Sequence, residues 1–182
     1  MNIIRKLRIL NPFTNVFKRA ELLRDEVGFI GEKVQVFHKV SLGSEPFLIS
    51  IGDYSKITYG VKFITHDGGC YVLRNMFDDS KDISIYGSIT VGKNCFIGID
   101  TILLPGVSIG DNCIIAAGSV VSRSIPANSV AAGVPCRVLR NIEEYHDKLK
   151  PYFIHTIGMS QQDKNNYLKK LKEEKPNIFV GK

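Results

Sequence analysis

"VSIGDNCIIAAGSVVSRSIPANSVAAGVPCRVLR", residues 107–140, has neither the 3.6-residue period of a helix nor the two-residue alternation of a lone strand. What recurs is an aliphatic residue at every sixth position. Stepping by six through Ile85, Val91, Ile97, Leu103, Ile109, Ile115 and Val121 meets only Ile, Val or Leu. The next residue tends to be small, as at Gly92, Gly98, Gly110, Ala116 and Ser122. Four positions after each aliphatic residue stand Ile89, Cys95, Thr101, Val107, Cys113, Ser119 and Ile125, mostly small or β-branched. A period of six fits short strands separated by turns, each strand presenting the same position inward. Three such strands close a triangular coil of 18 residues, and coils stack at the parallel-strand spacing of ~4.8 Å. Residues 18 apart then lie one above the other, as with Cys95 and Cys113, or "GKN" at 92–94 and "GDN" at 110–112. Asparagine tolerates the positive φ that a sharp corner requires.

Earlier in the chain Ile30, Val36, Leu42 and Leu48 keep step, and Ile51, Ile57 and Phe63 keep step in a new register. The three-residue shift at 48–51 predicts a bulge or an irregular corner. After Phe63 the pattern stops, to resume at Ile85. The break, "ITHDGGCYVLRNMFDDSKDIS", reads as a long loop over 67–84, and such loops carry function more often than packing.

The chain has 182 residues, 44% hydrophobic and 23% charged, which suits one soluble folded domain with small appendages. Residues 1–29 predict a cap of one or two short helices, 30–140 the coiled domain, and 141–182 a helical extension. In that extension "NIEEYHDKLK" ends at Pro151, and Ser160 with Asp163 forms a capping-box pattern. An open stack exposes unpaired backbone at its ends, and the two tails serve to cover it. Net charge is +6. The basic residues near the start, Arg5, Lys6, Arg8, Lys18 and Arg19, read as solvated helix faces. The segment "MNIIRKLRILNPF" allows a peripheral membrane contact through an amphipathic helix. No apolar run reaches the ~20 residues that span a bilayer, and no cleavage signal is evident, so a cytoplasmic protein is expected. The four cysteines lack zinc spacing and are expected as reduced thiols. A nucleic-acid partner is not expected, since no groove-reading motif or aromatic interleaving accompanies the charge.

The repeat, with "ITVGKNCFIGIDTILLPGVSIGDNCIIAAGSVVSRSIPANSVAAGVPCRVLR" and "FITHD", resembles the hexapeptide-repeat acyltransferases, in particular the galactoside, maltose and surface-polysaccharide O-acetyltransferases. The likeness covers roughly residues 30–140. It implies a left-handed parallel β-helix, three strands per coil, with helical N- and C-terminal extensions. It further implies an acetyl-CoA-dependent O-acetyltransferase that requires no metal and works as a homotrimer on a small-molecule or glycan acceptor, with active sites between neighbouring prisms.

Acyl transfer from a thioester to a hydroxyl needs a base, oxyanion donors and a grip on the donor. His66 is the candidate general base, because imidazole exchanges protons near neutrality. Asp67 is the candidate to orient it or to contact the acceptor. By resemblance the oxyanion donors are backbone amides at Gly98 and Ile99 of a neighbouring subunit. Ala116, Ala117 and Gly118 would let the pantetheine arm lie close to the stack. Arg123, Arg137 and Arg140 are candidates for the nucleotide phosphates, which guanidinium forks suit. Tyr71 and Arg74 are candidates for acceptor binding. Rival readings keep the chemistry with an antibiotic or serine as acceptor, replace it with a zinc carbonic anhydrase on the same scaffold, or make the prism a non-catalytic scaffold.

Overall fold

A computed structural model describes residues 3–179, with side chains from residue 7 onward; the side chains of Arg5 and Lys6 lie outside the described set. The chain divides into two compact units, with the division after Ile142.

In the first unit α1 (Ile3–Leu10) and α2 (Val16–Leu23) precede the coils. Coil one holds β1 (Phe29–Ile30) and β2 (Gln35–Val36); coil two holds β3 (Ile49–Ile51), β4 (Lys56–Ile57) and β5 (Lys62–Phe63). After α3 (Cys70–Met76), coil three holds β6 (Ile89–Val91), β7 (Phe96–Ile97) and β8 (Ile102–Leu103), and coil four β9 (Ser108–Ile109), β10 (Ile114–Ile115) and β11 (Val120–Val121). β12 (Ser129–Ala132) belongs to coil five, and β13 (Arg137–Asn141) folds back antiparallel along it, pairing off the edge.

Equivalent strands stack in parallel into three sheets, β1-β3-β6-β9, β2-β4-β7-β10-β12 and β5-β8-β11, which are the faces of a triangular prism. The bonds between coils run straight up each face: Phe96 N–H donates to Cys113 O and Gly98 N–H to Ile115 O, both at 2.8 Å. Along the axis lie two columns of inward side chains. Val91, Ile97, Leu103, Ile109, Ile115 and Val121 form one, and the residues four positions on, from Ile89 to Ile125, form the other; all are buried. Each such aliphatic burial contributes roughly 1.5–3 kcal/mol. Ile85 departs from the predicted phase. It is half exposed, and its carbonyl accepts from the Asp67 N–H in an antiparallel pairing that closes the loop. The core column therefore resumes at Ile89 and Val91.

The corners need left-handed backbone, and Asn94, Asn112 and Asn128 supply it at φ 53°, 57° and 59°. Their side chains form a ladder, Asn94 Nδ2 donating to Asn112 Oδ1 and Asn112 Nδ2 to Asn128 Oδ1, each at 2.9 Å. All four cysteines are buried free thiols; stacked Cys95 and Cys113 each donate S–H to a carbonyl, of Gly110 and Pro126 respectively.

Arg19 corrects the reading of the basic start as solvated. It is 2% exposed, and its guanidinium donates to Ile9 O, Val36 O and Asn11 O, tying both N-terminal helices to coil one. Burial lowers its pKa. The second unit is helical: α4 (Ile142–Leu149) ends in a short 3-10 turn at Lys150–Tyr152, and α5 (Gln161–Glu174) is capped by Ser160, whose hydroxyl accepts from Asp163 N–H.

The tight stacking at corners gives a test. A Cβ on Gly98 would lie 2.4 Å from Ala117 N, whereas one on Gly68 would meet nothing within 4 Å. Gly98→Ala should lower stability by about 1–3 kcal/mol while Gly68→Ala stays within about 0.5 kcal/mol, read from chemical denaturation midpoints. Equal midpoints would contradict the corner packing.

Candidate active site

The register between coils shows where residues are extruded from the stack. Val91 pairs with Ile109, 18 residues on, the length of an uninterrupted coil. Ile30 pairs with Ile51, 21 on, and Ile51 with Val91, 40 on. Both excesses leave the prism at the same corner, where the β5 face turns into the β3–β6 face. The three extra residues of coil one fall within 42–48, and the long insertion of coil two within 64–88. Stacking brings the two together and builds a cleft of about 330 Å³, whose lining includes Ser44, Glu45, His66, Asp67, Arg74 and Tyr86.

His66 stands in this cleft, half-buried, with its Nδ1 3.1 Å from Glu45 Oε2. The Thr65 hydroxyl donates to the same oxygen at 2.6 Å. Glu45 is held below the usual carboxylate range chiefly by the Thr65 hydroxyl; desolvation, next in size, opposes this, and His66 and Ser44 add to the lowering. With an ionised carboxylate on Nδ1, that nitrogen carries the proton and donates, which leaves Nε2 as a lone-pair acceptor. The backbone on either side of His66 is fixed by pairing: Gly87 N–H donates to Thr65 O at 2.8 Å and Asp67 N–H to Ile85 O at 2.9 Å. The Tyr86 ring stands edge-on to the imidazole, with centroids 6.3 Å apart.

The carboxylate that meets His66 is thus Glu45, and not Asp67. Asp67 Oδ1 instead accepts from Gly69 N–H at 2.7 Å, forming the turn that starts α3. The sequence signal for Glu45 was the three-residue slip itself, which displaces "SEPF" from the repeat toward the corner that holds the histidine. The segment read as an unstructured loop contains α3 and a 3-10 turn at Asp78–Ser80. Arg74, on α3, donates through Nε to Ile83 O and through Nη2 to Ser84 Oγ. It therefore braces the returning chain as well as lining the cleft. Tyr71, one turn earlier, is exposed.

The other candidates lie elsewhere. Gly98 and Ile99 occupy the corner between the β7 and β8 faces, with Ala116, Ala117 and Gly118 directly above them in coil four. Gly98 N–H is engaged by Ile115 O, so it cannot serve an oxyanion; the Ile99 amide has no hydrogen-bond partner among the described residues. Gly118 is in the left-handed region at φ 69°. Arg123 is exposed just after β11. Arg137 and Arg140 lie on β13, where Arg137 Nη1 donates to Cys136 O. No three His, Cys, Asp or Glu side chains among the described residues are grouped to hold a metal ion, and no helix among them is long and apolar enough to cross a membrane.

Residues 88–123, two coils of the prism, match the family described as bacterial transferase hexapeptide (six repeats). The chain is 41% identical over 138 residues to protein CapG of Staphylococcus aureus, a match covering 75% of this chain and 78% of that one. Over 65 residues it is 54% identical to the galactoside O-acetyltransferase of Escherichia coli (strain K12), covering 36% of this chain but only 30% of that one. Among solved structures, a galactoside acetyltransferase in complex with coenzyme A aligns with a TM-score of 0.59 at 30% identity, over 80% of this chain and 82% of that one. A maltose O-acetyltransferase from Clostridium difficile 630 aligns with a TM-score of 0.53 at 26% identity, over 76% and 82%. The chain belongs to the hexapeptide-repeat transferase family, its fold is the left-handed parallel β-helix, and its class is acyltransferase.

The carboxylate network gives a test of its own. Since Glu45 is held below its ordinary value in the fold, the stability it contributes is full above the unfolded glutamate pKa and is lost as pH falls through the folded one. Removing the Thr65 hydroxyl takes away the largest cause. Thr65→Val should raise the Glu45 titration midpoint, followed by carbon NMR of the carboxyl, and narrow the acid window of lost stability. An unmoved midpoint would contradict the assigned hydrogen bond.

Proposed function

We propose that this chain transfers an acetyl group from acetyl-CoA to a sugar hydroxyl, in the assembly of a surface polysaccharide such as a capsule or O-antigen, with His66 as general base. The observation that carries the reading is the 3.1 Å contact between His66 Nδ1 and the ionised Glu45 in a cleft at the prism corner. The donor follows from the family and from likeness to a galactoside acetyltransferase solved with coenzyme A. Likeness to a galactoside O-acetyltransferase and to a maltose O-acetyltransferase supports a sugar hydroxyl as acceptor.

In this reading the acceptor oxygen attacks the thioester carbonyl carbon as Nε2 removes its proton. The tetrahedral intermediate collapses with cleavage of the C–S bond, and the imidazolium returns the proton to the leaving sulfur. Glu45 keeps the ring in the tautomer that presents Nε2 and stabilises the imidazolium when it forms. An amide aimed at the developing oxyanion contributes a few kcal/mol. Of the two amides considered, Ile99 N–H is the available one. It lies a full prism face away from His66, so one chain does not bring them together. A second prism packed alongside does, and this supports a homotrimer with each site shared between protomers. The small residues Ala116, Ala117 and Gly118 share the Ile99 corner and give the pantetheine arm a smooth edge. We assign Arg123, Arg137 and Arg140 to the nucleotide phosphates, and Tyr71 and Arg74 to the acceptor.

Thiol release from acetyl-CoA, measured against a panel of sugars and nucleotide sugars, is the experiment. His66→Ala should lose about 10²-fold or more in kcat with acetyl-CoA affinity retained, and Glu45→Gln should lower kcat with KM little changed. Normal turnover in His66→Ala, or no turnover of wild-type chain with any sugar, would overturn the reading. Arg123→Ala or Arg137→Ala should raise the KM for acetyl-CoA; an unchanged KM in both removes them from the donor site.

A further inference from the structure

The turn between α1 and α2 carries a surface that acetyl transfer does not use. Phe13, at its apex, is 93% exposed, and Leu7, Leu10 and Phe17 beside it are 63%, 64% and 46% exposed. This is not a slack loop. Thr14 Oγ1 donates to Arg8 O at 2.6 Å, and Phe13 N–H to Asn11 Oδ1 at 2.9 Å. Asn15 Oδ1 caps α2 by accepting from the Phe17 and Lys18 amides. Buried Arg19 pins the Ile9 and Asn11 carbonyls to coil one from beneath. The turn is therefore held in a shape that points an aromatic ring into solvent, where a fold optimised only for stability would tuck it away. Arg8, in α1, and Lys18, in α2, are exposed in the helices on either side of the turn, and neither is in a salt bridge among the described residues. The sequence places two further cations, Arg5 and Lys6, in α1.

We propose that this turn docks on an anionic lipid bilayer. Phe13, Leu10, Leu7 and Phe17 enter the boundary between headgroups and acyl chains, and Arg8 and Lys18 meet lipid phosphates. The pairing of projecting apolar side chains with a rim of cations is the chemistry an anionic interface selects. A bilayer also needs no shape-matched partner for a convex projection. A second copy of the chain fits less well, because a two-fold contact through the same patch would set Arg8 and Lys18 against their like. The net charge of +6 favours approach to a negative surface. The inference stands independently of the acetyl acceptor.

The test is cosedimentation of the full chain with vesicles of phosphatidylcholine alone and of phosphatidylcholine with phosphatidylglycerol. Binding is expected to the mixed vesicles only, and to weaken at high salt. Phe13→Ser should weaken it on the order of tenfold, and Arg8→Gln and Lys18→Gln about fivefold each. Phe13→Ser should leave the thermal midpoint and turnover with soluble acceptors unchanged. Equal binding by Phe13→Ser and wild type, or no binding to the mixed vesicles, would overturn the proposal. So would a change in sedimentation coefficient on Phe13→Ser without vesicle binding, since it would make the patch a contact between copies.

Discussion

Register between coils is the constraint on which the rest of the molecule depends. Each face is held by amides of one coil donating to carbonyls of the next, so equivalent positions must stay aligned from end to end. Any residue beyond 18 in a turn of the prism has no place on a face and leaves at a corner. Coils one and two both break the count, and they do so at one corner. The cleft is thus a consequence of the register: two extrusions, one of three residues and one of twenty-two, are stacked because the coils that expel them are stacked. Glu45 comes from the first and His66 from the base of the second.

The same alignment separates chemical roles in space. The corner bearing His66 is polar and carries the insertion, while the corner bearing Ile99 is lined by the small residues Gly98, Ala116, Ala117 and Gly118. Gly98 illustrates how little freedom that corner has, its amide committed to Ile115 O and its Cα against the Ala117 backbone. A base on one edge and a bare edge on another give a single prism two half-sites, which is the physical reason for proposing that protomers complete one another.

Much of this was legible in the amino-acid order. The six-residue column from Val91 to Val121 dictates three-sided coils, because only that geometry returns the same side chain inward at each strand. Asn94 and Asn112 marked corners, and the failure of the period after Phe63 marked the insertion. What escaped depends on contacts that local pattern does not encode. Ile85 keeps the phase by coincidence, yet pairs with the loop rather than the stack. Arg19 follows Arg8 and Lys18, which face water, and only the docking of α2 on coil one shows that it serves three carbonyls. The short α3 was hidden in a segment with no apolar period. Glu45 was indicated only indirectly, by a slip in register, since its partner His66 is 21 residues away in sequence and adjacent only after a coil is wound.

The central claim is that Glu45 fixes His66 with its proton on Nδ1, so that Nε2 is the base. Nitrogen NMR of the His66 ring, at a pH where the ring is neutral, reports this directly. The account predicts a protonated Nδ1 and an unprotonated Nε2 in the native chain, with that preference weakened in Glu45→Gln. A neutral ring carrying its proton on Nε2, unaffected by Glu45→Gln, would contradict it.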